Sequence, residues 1–222
     1  MSSEEVYVVH EKLEAIPEVH EPCRKATFRR NKIAHMELTP CRTLEELDLY
    51  DNVIKKIEGL ERVPSLRILD LSFNLIQRNT VPLLPHLAEL YLIGNDIHKI
   101  ERMYLPSLEK LDMAENGLKR IENLEGLQRL RELYLGCNKI EKIENIKHLA
   151  YLEVLDLQNN CLLEVDCADI PVSVKTLLLS GNVDLVQIKN IGMLSKLDFV
   201  AINKTKLSSQ NITEACKAEI WS

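Results

Sequence analysis

The chain has 222 residues, 45% of them apolar and 37 of them leucine, enough to bury a core and too much for a disordered chain. Lys and Arg total 28 against 34 Asp and Glu, a net charge of −6, which suits a partner with a basic face and argues against nucleic acid as ligand. No apolar run of 18 residues is present, and the start Met1-Ser2-Ser3-Glu4-Glu5-Val6 has no basic stretch leading into an apolar one, so neither a membrane-spanning helix nor a secretory leader is expected.

Residues 1–22 carry few periodic apolar residues and read as an N-terminal cap. From residue 23 the chain repeats itself. Asparagines fall at 31, 52, 74, 95, 116, 138, 160 and 182, in steps of 21 or 22. The frame L-x-x-L-x-L-x-x-N precedes most of them, as in Leu44, Leu47, Leu49, Asn52 and in Leu130, Leu133, Leu135, Asn138. Cys23, Ala26, Phe28, Asn31 opens the array, and Leu197, Val200, Ile202 closes it with Thr205 in the asparagine slot, giving nine units over residues 23–205. Alternating leucines turn one strand face inward and the other outward. Apolar pairs such as Ile54/Ile57 and Ile140/Ile143 follow most of the asparagines and fill the core behind the strand.

The expected fold is a right-handed α/β leucine-rich-repeat solenoid: a parallel concave β-sheet, with 3₁₀ or one-turn segments on the convex side because each return is too short for a full helix. The asparagines read as scaffold, satisfying buried amides and carbonyls. Two units depart from the frame: Asn79 replaces an expected isoleucine, and the step from Asn182 to Thr205 is 23. Both predict convex-side bulges. Residues 206–222 read as a C-terminal cap, a short helix with Ile212, Cys216 and Ile220 on one face and Trp221 over the last core.

No catalytic constellation is present. No two glycines lie closer than nine residues, H-E-x-x-H and G-x-S-x-G are absent, and the six histidines are scattered. The six cysteines form no C-x-x-C and have no histidine at zinc spacing, so free thiols are expected. No cofactor, metal, small-molecule substrate or enzymatic activity is expected.

The outward strand positions carry the functional signal. The central row reads Thr27, Asp48, Asp70, Tyr91, Asp112, Tyr134, Asp156, Leu178, Ala201. At ~4.8 Å per strand, Asp48 to Asp156 spans about 24 Å. Adjacent carboxylates at 48 and 70 repel, a pairing that stability alone would not select. Interleaved Tyr and Asp fit a protein-recognition surface; the alternative, that these aspartates take up neighbouring hydrogen bonds, stays open. The stretch 24–32 holds five cations in nine residues and reads as a solvated edge partly offset by nearby acids, with contact to RNA or anionic lipid as the alternative.

Units such as Leu44-Glu45-Glu46-Leu47-Asp48-Leu49-Tyr50-Asp51-Asn52-Val53-Ile54-Lys55-Lys56-Ile57-Glu58-Gly59-Leu60 and Asn138-Lys139-Ile140-Glu141-Lys142-Ile143-Glu144-Asn145-Ile146 resemble the 22-residue repeats of the leucine-rich regulatory subunits of protein phosphatase 1. The resemblance covers about residues 23–205. It implies a monomeric, non-catalytic protein of nucleus and cytoplasm that binds the phosphatase catalytic subunit on its concave face. Asp70, Tyr91, Asp112 and Tyr134 would then stand in the family's acidic and aromatic contact positions, with Asp48 and Asp156 extending the row. The family's contacts in its last repeats have no counterpart at Leu178 and Ala201. Assembly factors of ribonucleoproteins and of axonemal motors share the repeat subclass and are the alternative reading.

Overall fold

The computed structural model describes residues 4–207 and 218–221. Among the described residues, eleven short strands stack in one parallel sheet: β1 (Glu5–Tyr7), β2 (Lys25–Thr27), β3 (Glu46–Asp48), β4 (Ile68–Asp70), β5 (Glu89–Tyr91), β6 (Lys110–Asp112), β7 (Glu132–Tyr134), β8 (Val154–Asp156), β10 (Thr176–Leu178), β12 (Phe199–Ala201) and β13 (Glu219–Trp221). A second, two-stranded parallel sheet pairs β9 (Glu164–Asp166) with β11 (Gln187–Lys189). Apart from three single-turn 3₁₀ segments, the described residues contain no helix, so the α/β label gives way to a parallel-sheet β-solenoid. The returns between strands are too short for a helical hydrogen-bond ladder to form.

In β3 to β8 and β10 the first and third residues are half-buried on the open face and the second is buried. Leu47, Leu69, Leu90, Leu111, Leu133, Leu155 and Leu177 lie fully or almost fully buried in one register. Burying a leucine contributes roughly 1.5–3 kcal/mol, so each coil adds several such terms to one continuous core.

The asparagines close the coils on one another. Asn138 Nδ2 donates to the carbonyl oxygens of Met113, Leu135 and Gly136, and its Oδ1 accepts from the Leu118 amide, at 3.0–3.2 Å. Asn52, Asn74, Asn95, Asn116, Asn160 and Asn182 repeat the pattern, each donating to its own strand and to the coil before it while accepting from an amide of that coil. Thr205, in the same slot, reproduces only the local part, donating to Ile202. The residue before every slot is left-handed: Arg30, Asp51, Phe73, Gly94, Glu115, Cys137, Asn159, Gly181 and Lys204 all have φ between 53° and 77°. Most are not glycine, although this conformation costs roughly 1–2 kcal/mol for an L-residue. The bonds made by the following asparagine offset that cost.

Residues before 23 do more than cap. Val6 and Val8 pack against the core, His10 is left-handed at φ 64°, and Asn31 Oδ1 accepts from the amides of Glu11 and Leu13. This segment is a further coil with Glu11 in the asparagine slot. At the other end, Ile220 lies in strand β13, with Val200 as its register partner, and Trp221 is 60% exposed. The expected helical face with Trp221 over the core therefore does not hold at these two positions; Ile212 and Cys216 lie outside the described residues.

Both irregular units have physical explanations. Asn79 is fully buried, and its amide group both donates to and accepts from the Glu101 backbone. The convex side around residues 161–193 carries the β9–β11 pair, joined by a Lys189–Glu164 ion pair of 2.6 Å and by Asn190 donating to Asp166. Elsewhere Gly59 (φ 76°) turns the chain where a Cβ would stand 2.7 Å from the Met36 carbonyl oxygen.

Asn138→Ala is expected to lower unfolding free energy by about 1–3 kcal/mol in urea titration, because it strands buried backbone groups. Gly59→Ala is expected to destabilise by more than about 1 kcal/mol, since it adds both left-handed strain and a clash.

Candidate protein-binding face

The sheet register brings all six sequence-predicted positions into one row. Asp48 stands opposite Asp70, Asp70 opposite Tyr91, Tyr91 opposite Asp112, Asp112 opposite Tyr134, and Tyr134 opposite Asp156. All six are half-buried. The row runs on through Leu178, Ala201 and Trp221 at one end and Thr27 and Tyr7 at the other.

Each aspartate of the row has a local partner. Its Oδ1 accepts from the amide two residues on: Tyr50 for Asp48, Ser72 for Asp70, Ala114 for Asp112 and Gln158 for Asp156, at 2.8–3.1 Å. One oxygen therefore finishes the strand, and the aspartates do take up neighbouring hydrogen bonds. Asp48 and Asp70 are also tolerated side by side, because Arg29 bridges them. Its Nε donates to Asp48 Oδ2, and its Nη2 lies 3.4 Å from Asp70 Oδ2. That guanidinium offsets the repulsion between the two carboxylates. The basic stretch is largely paired as well, through Arg24–Glu45, Lys25–Glu46 and a looser Arg30–Asp51 contact.

The tyrosines are held by their neighbours. Tyr91 donates its hydroxyl to Glu89, and Tyr134 donates to Glu132 at 3.0 Å. Lys110 stands between them, its Nζ 5.5 Å from the Tyr91 ring centroid and 5.1 Å from that of Tyr134, with an ion pair of 3.2 Å to Glu132. A cation between two ring faces fixes both rings. Sequence reasoning passed over Arg29, Lys110, Glu89 and Glu132. The repeated triplet Glu-Leu-Tyr at 89–91 and 132–134 was the signal for the two glutamates.

Burial pushes the carboxyls of Asp48, Asp112 and Asp156 above the ordinary range, against the opposing pull of their amide bonds. Burial first, then the bonded Glu132, moves the Tyr134 phenol up to about 12, and Tyr91 rises for the same reasons through Glu89. Both phenols stay protonated at neutral pH and act as donors. Among the described residues, no group of three His, Cys, Asp or Glu side chains is arranged to hold a metal, and no helix is long and apolar enough to cross a membrane.

Residues 42–84, 106–148 and 128–170 match the family described as "Leucine Rich repeats (2 copies)". The chain is 34% identical over 127 residues to a protein phosphatase 1 regulatory inhibitor subunit PPP1R7 homolog of Arabidopsis thaliana, covering 53% of this chain and 39% of that protein. It is 37% identical over 90 residues to the 187-kDa microtubule-associated protein AIR9 of the same plant, covering 39% of this chain and 5% of that protein. The chain thus spans well under half the length of either relative. Among solved structures, the functional domain of InlJ from Listeria monocytogenes superposes with a TM-score of 0.71 at 20% identity, over 91% of this chain and 48% of that one, a likeness of fold.

The raised carboxyls give a signed expectation. A folded-state pKa above the unfolded value costs nothing at acid pH, where both states are protonated; stability is lost as pH rises through the raised value. Asp112→Asn keeps the Oδ1 acceptor for the Ala114 amide and removes the buried charge. It is expected to melt at a higher temperature than wild type at pH 7, with the gap closing towards pH of about 4 in a calorimetric series.

Proposed function

Because the chain is built of leucine-rich repeats, we propose that it is a non-catalytic protein-binding subunit whose partner is the catalytic subunit of protein phosphatase 1. The observation that carries this reading is the unbroken Asp–Tyr row across β3 to β8, all six side chains half-buried on one face of the sheet. Aromatic anchors among acids suit a basic, partly apolar partner surface. Likeness to the plant PPP1R7 homolog, 34% identical over 127 residues, supports the choice of partner. Nucleus and cytoplasm are the compartments that go with it, and the free subunit is taken to be a monomer.

Titration of variants against purified phosphatase 1 catalytic subunit tests the proposal. Tyr134→Ala is expected to weaken binding by about 30-fold, the equivalent of roughly 2 kcal/mol at an interface centre. Asp70→Lys should weaken it at least as much by setting like charge against the partner. His98→Ala, exposed and away from the sheet, should bind as wild type does. Wild-type affinity in folded Tyr134→Ala and Asp70→Lys proteins, or no binding by wild type, would refute it.

A further inference from the structure

On the same face, β3, β4 and β5 bound a recess of about 410 Å³. Its walls are apolar, formed by Tyr50, Ile68, Tyr91 and Ile93. Ser72 also lines it, only 1% exposed, and the Ser72 hydroxyl has no hydrogen-bond partner. A buried hydroxyl is rarely left without a partner in a finished core. Around the opening stand four carboxylates, Glu46, Asp48, Asp70 and Glu89, against two cations, Lys25 and Arg29.

Arg29 shows which chemistry the opening takes. It reaches over from the end of β2 with its guanidinium across both Asp48 and Asp70 and its Cζ 5.0 Å from the centroid of the Tyr50 ring. Two adjacent carboxylates match the forked donors of a guanidinium better than the single point of an ammonium. The side chain that supplies it is 45% exposed, so its hold is that of a surface pair. Beneath it the apolar walls and the Ser72 hydroxyl remain without a ligand group.

We propose that this recess receives one arginine side chain of the partner protein, with Arg29 as an internal stand-in that the incoming guanidinium displaces. The aliphatic stem would lie along Ile68 and Ile93, and the guanidinium would take Asp48 and Asp70 and reach the Ser72 hydroxyl. The proposal rests on the reading of this face as a protein-binding surface. It adds the identity of one contact and a gate of local origin, since every partner must outcompete Arg29.

The test is an amide NMR titration of the full chain with N-acetyl-arginine methylamide, and with the norleucine and lysine equivalents as controls. Saturable shifts are expected at Tyr50, Ser72 and Ile93, together with movement of the Arg29 side-chain resonances in wild type. Arg29→Met, which frees the carboxylates, should bind the arginine probe about 10-fold more tightly than wild type, and Asp70→Asn should lose it. Equal binding of the norleucine or lysine probe, shifts confined to other coils, or no gain in a well-dispersed Arg29→Met protein would overturn the proposal. Phosphatase binding is scored separately. Loss of the phosphatase interaction with the arginine response intact counts against the partner alone, and the reverse result counts against the recess alone.

Discussion

The asparagine side chain is the interaction on which the rest of this molecule depends. A chain that turns out of a strand every 21 or 22 residues leaves amides and carbonyls facing an apolar interior. One side chain with both donors and an acceptor answers that demand from the inside of the turn, and it binds the preceding coil in the same act. The coil-to-coil register follows from it. So does the left-handed residue before each slot, a local cost accepted because it aims the asparagine inward. Where glutamate or threonine takes the slot, at 11 and 205, the array is near its ends.

Fixed register is also what makes a face out of short strands. Three residues per coil cannot form a surface alone, but the outward residues of successive coils fall in straight rows. The central row is coupled along its length by Arg29 at one end and Lys110 in the middle, each touching residues of two neighbouring strands. The aspartates serve two ends at once: one oxygen completes the backbone, and the other turns to a side chain, Arg29 for Asp48 and Asp70 and Gln158 for Asp156. That division explains how carboxyls raised by burial persist on a face that gains no stability from their charge.

The repeat frame makes the rows legible in the sequence, because period and strand alternation together determine which residue faces out. Legibility failed where the frame was filled by unusual residues. Val6, Val8, Glu11, Leu13 and Ile16 have the spacing of Leu47, Leu49, Asn52, Ile54 and Ile57, but glutamate in the key slot hid the extra coil. The alternation in Leu163-Glu164-Val165 and Val186-Gln187-Ile188 occurs in only two coils and did not announce the β9–β11 pair. The Arg29 bridge was out of reach for a different reason. It joins residues 19 and 41 positions apart through a flexible side chain, and periodicity fixes where a side chain starts, not where its far end comes to rest.

The placement of Lys110 between Tyr91 and Tyr134 has a consequence for how such a chain can change length. The acid–aromatic alternation of the row has a period of two coils, not one: Asp70 to Asp112, Tyr91 to Tyr134, Asp112 to Asp156. Duplicating a single coil inside it would leave the core and the asparagine bonds intact yet set tyrosine beside tyrosine or acid beside acid. Duplicating two would extend the face in phase. The unit of folding here is one coil, but the unit of inheritance for the recognition surface is a pair.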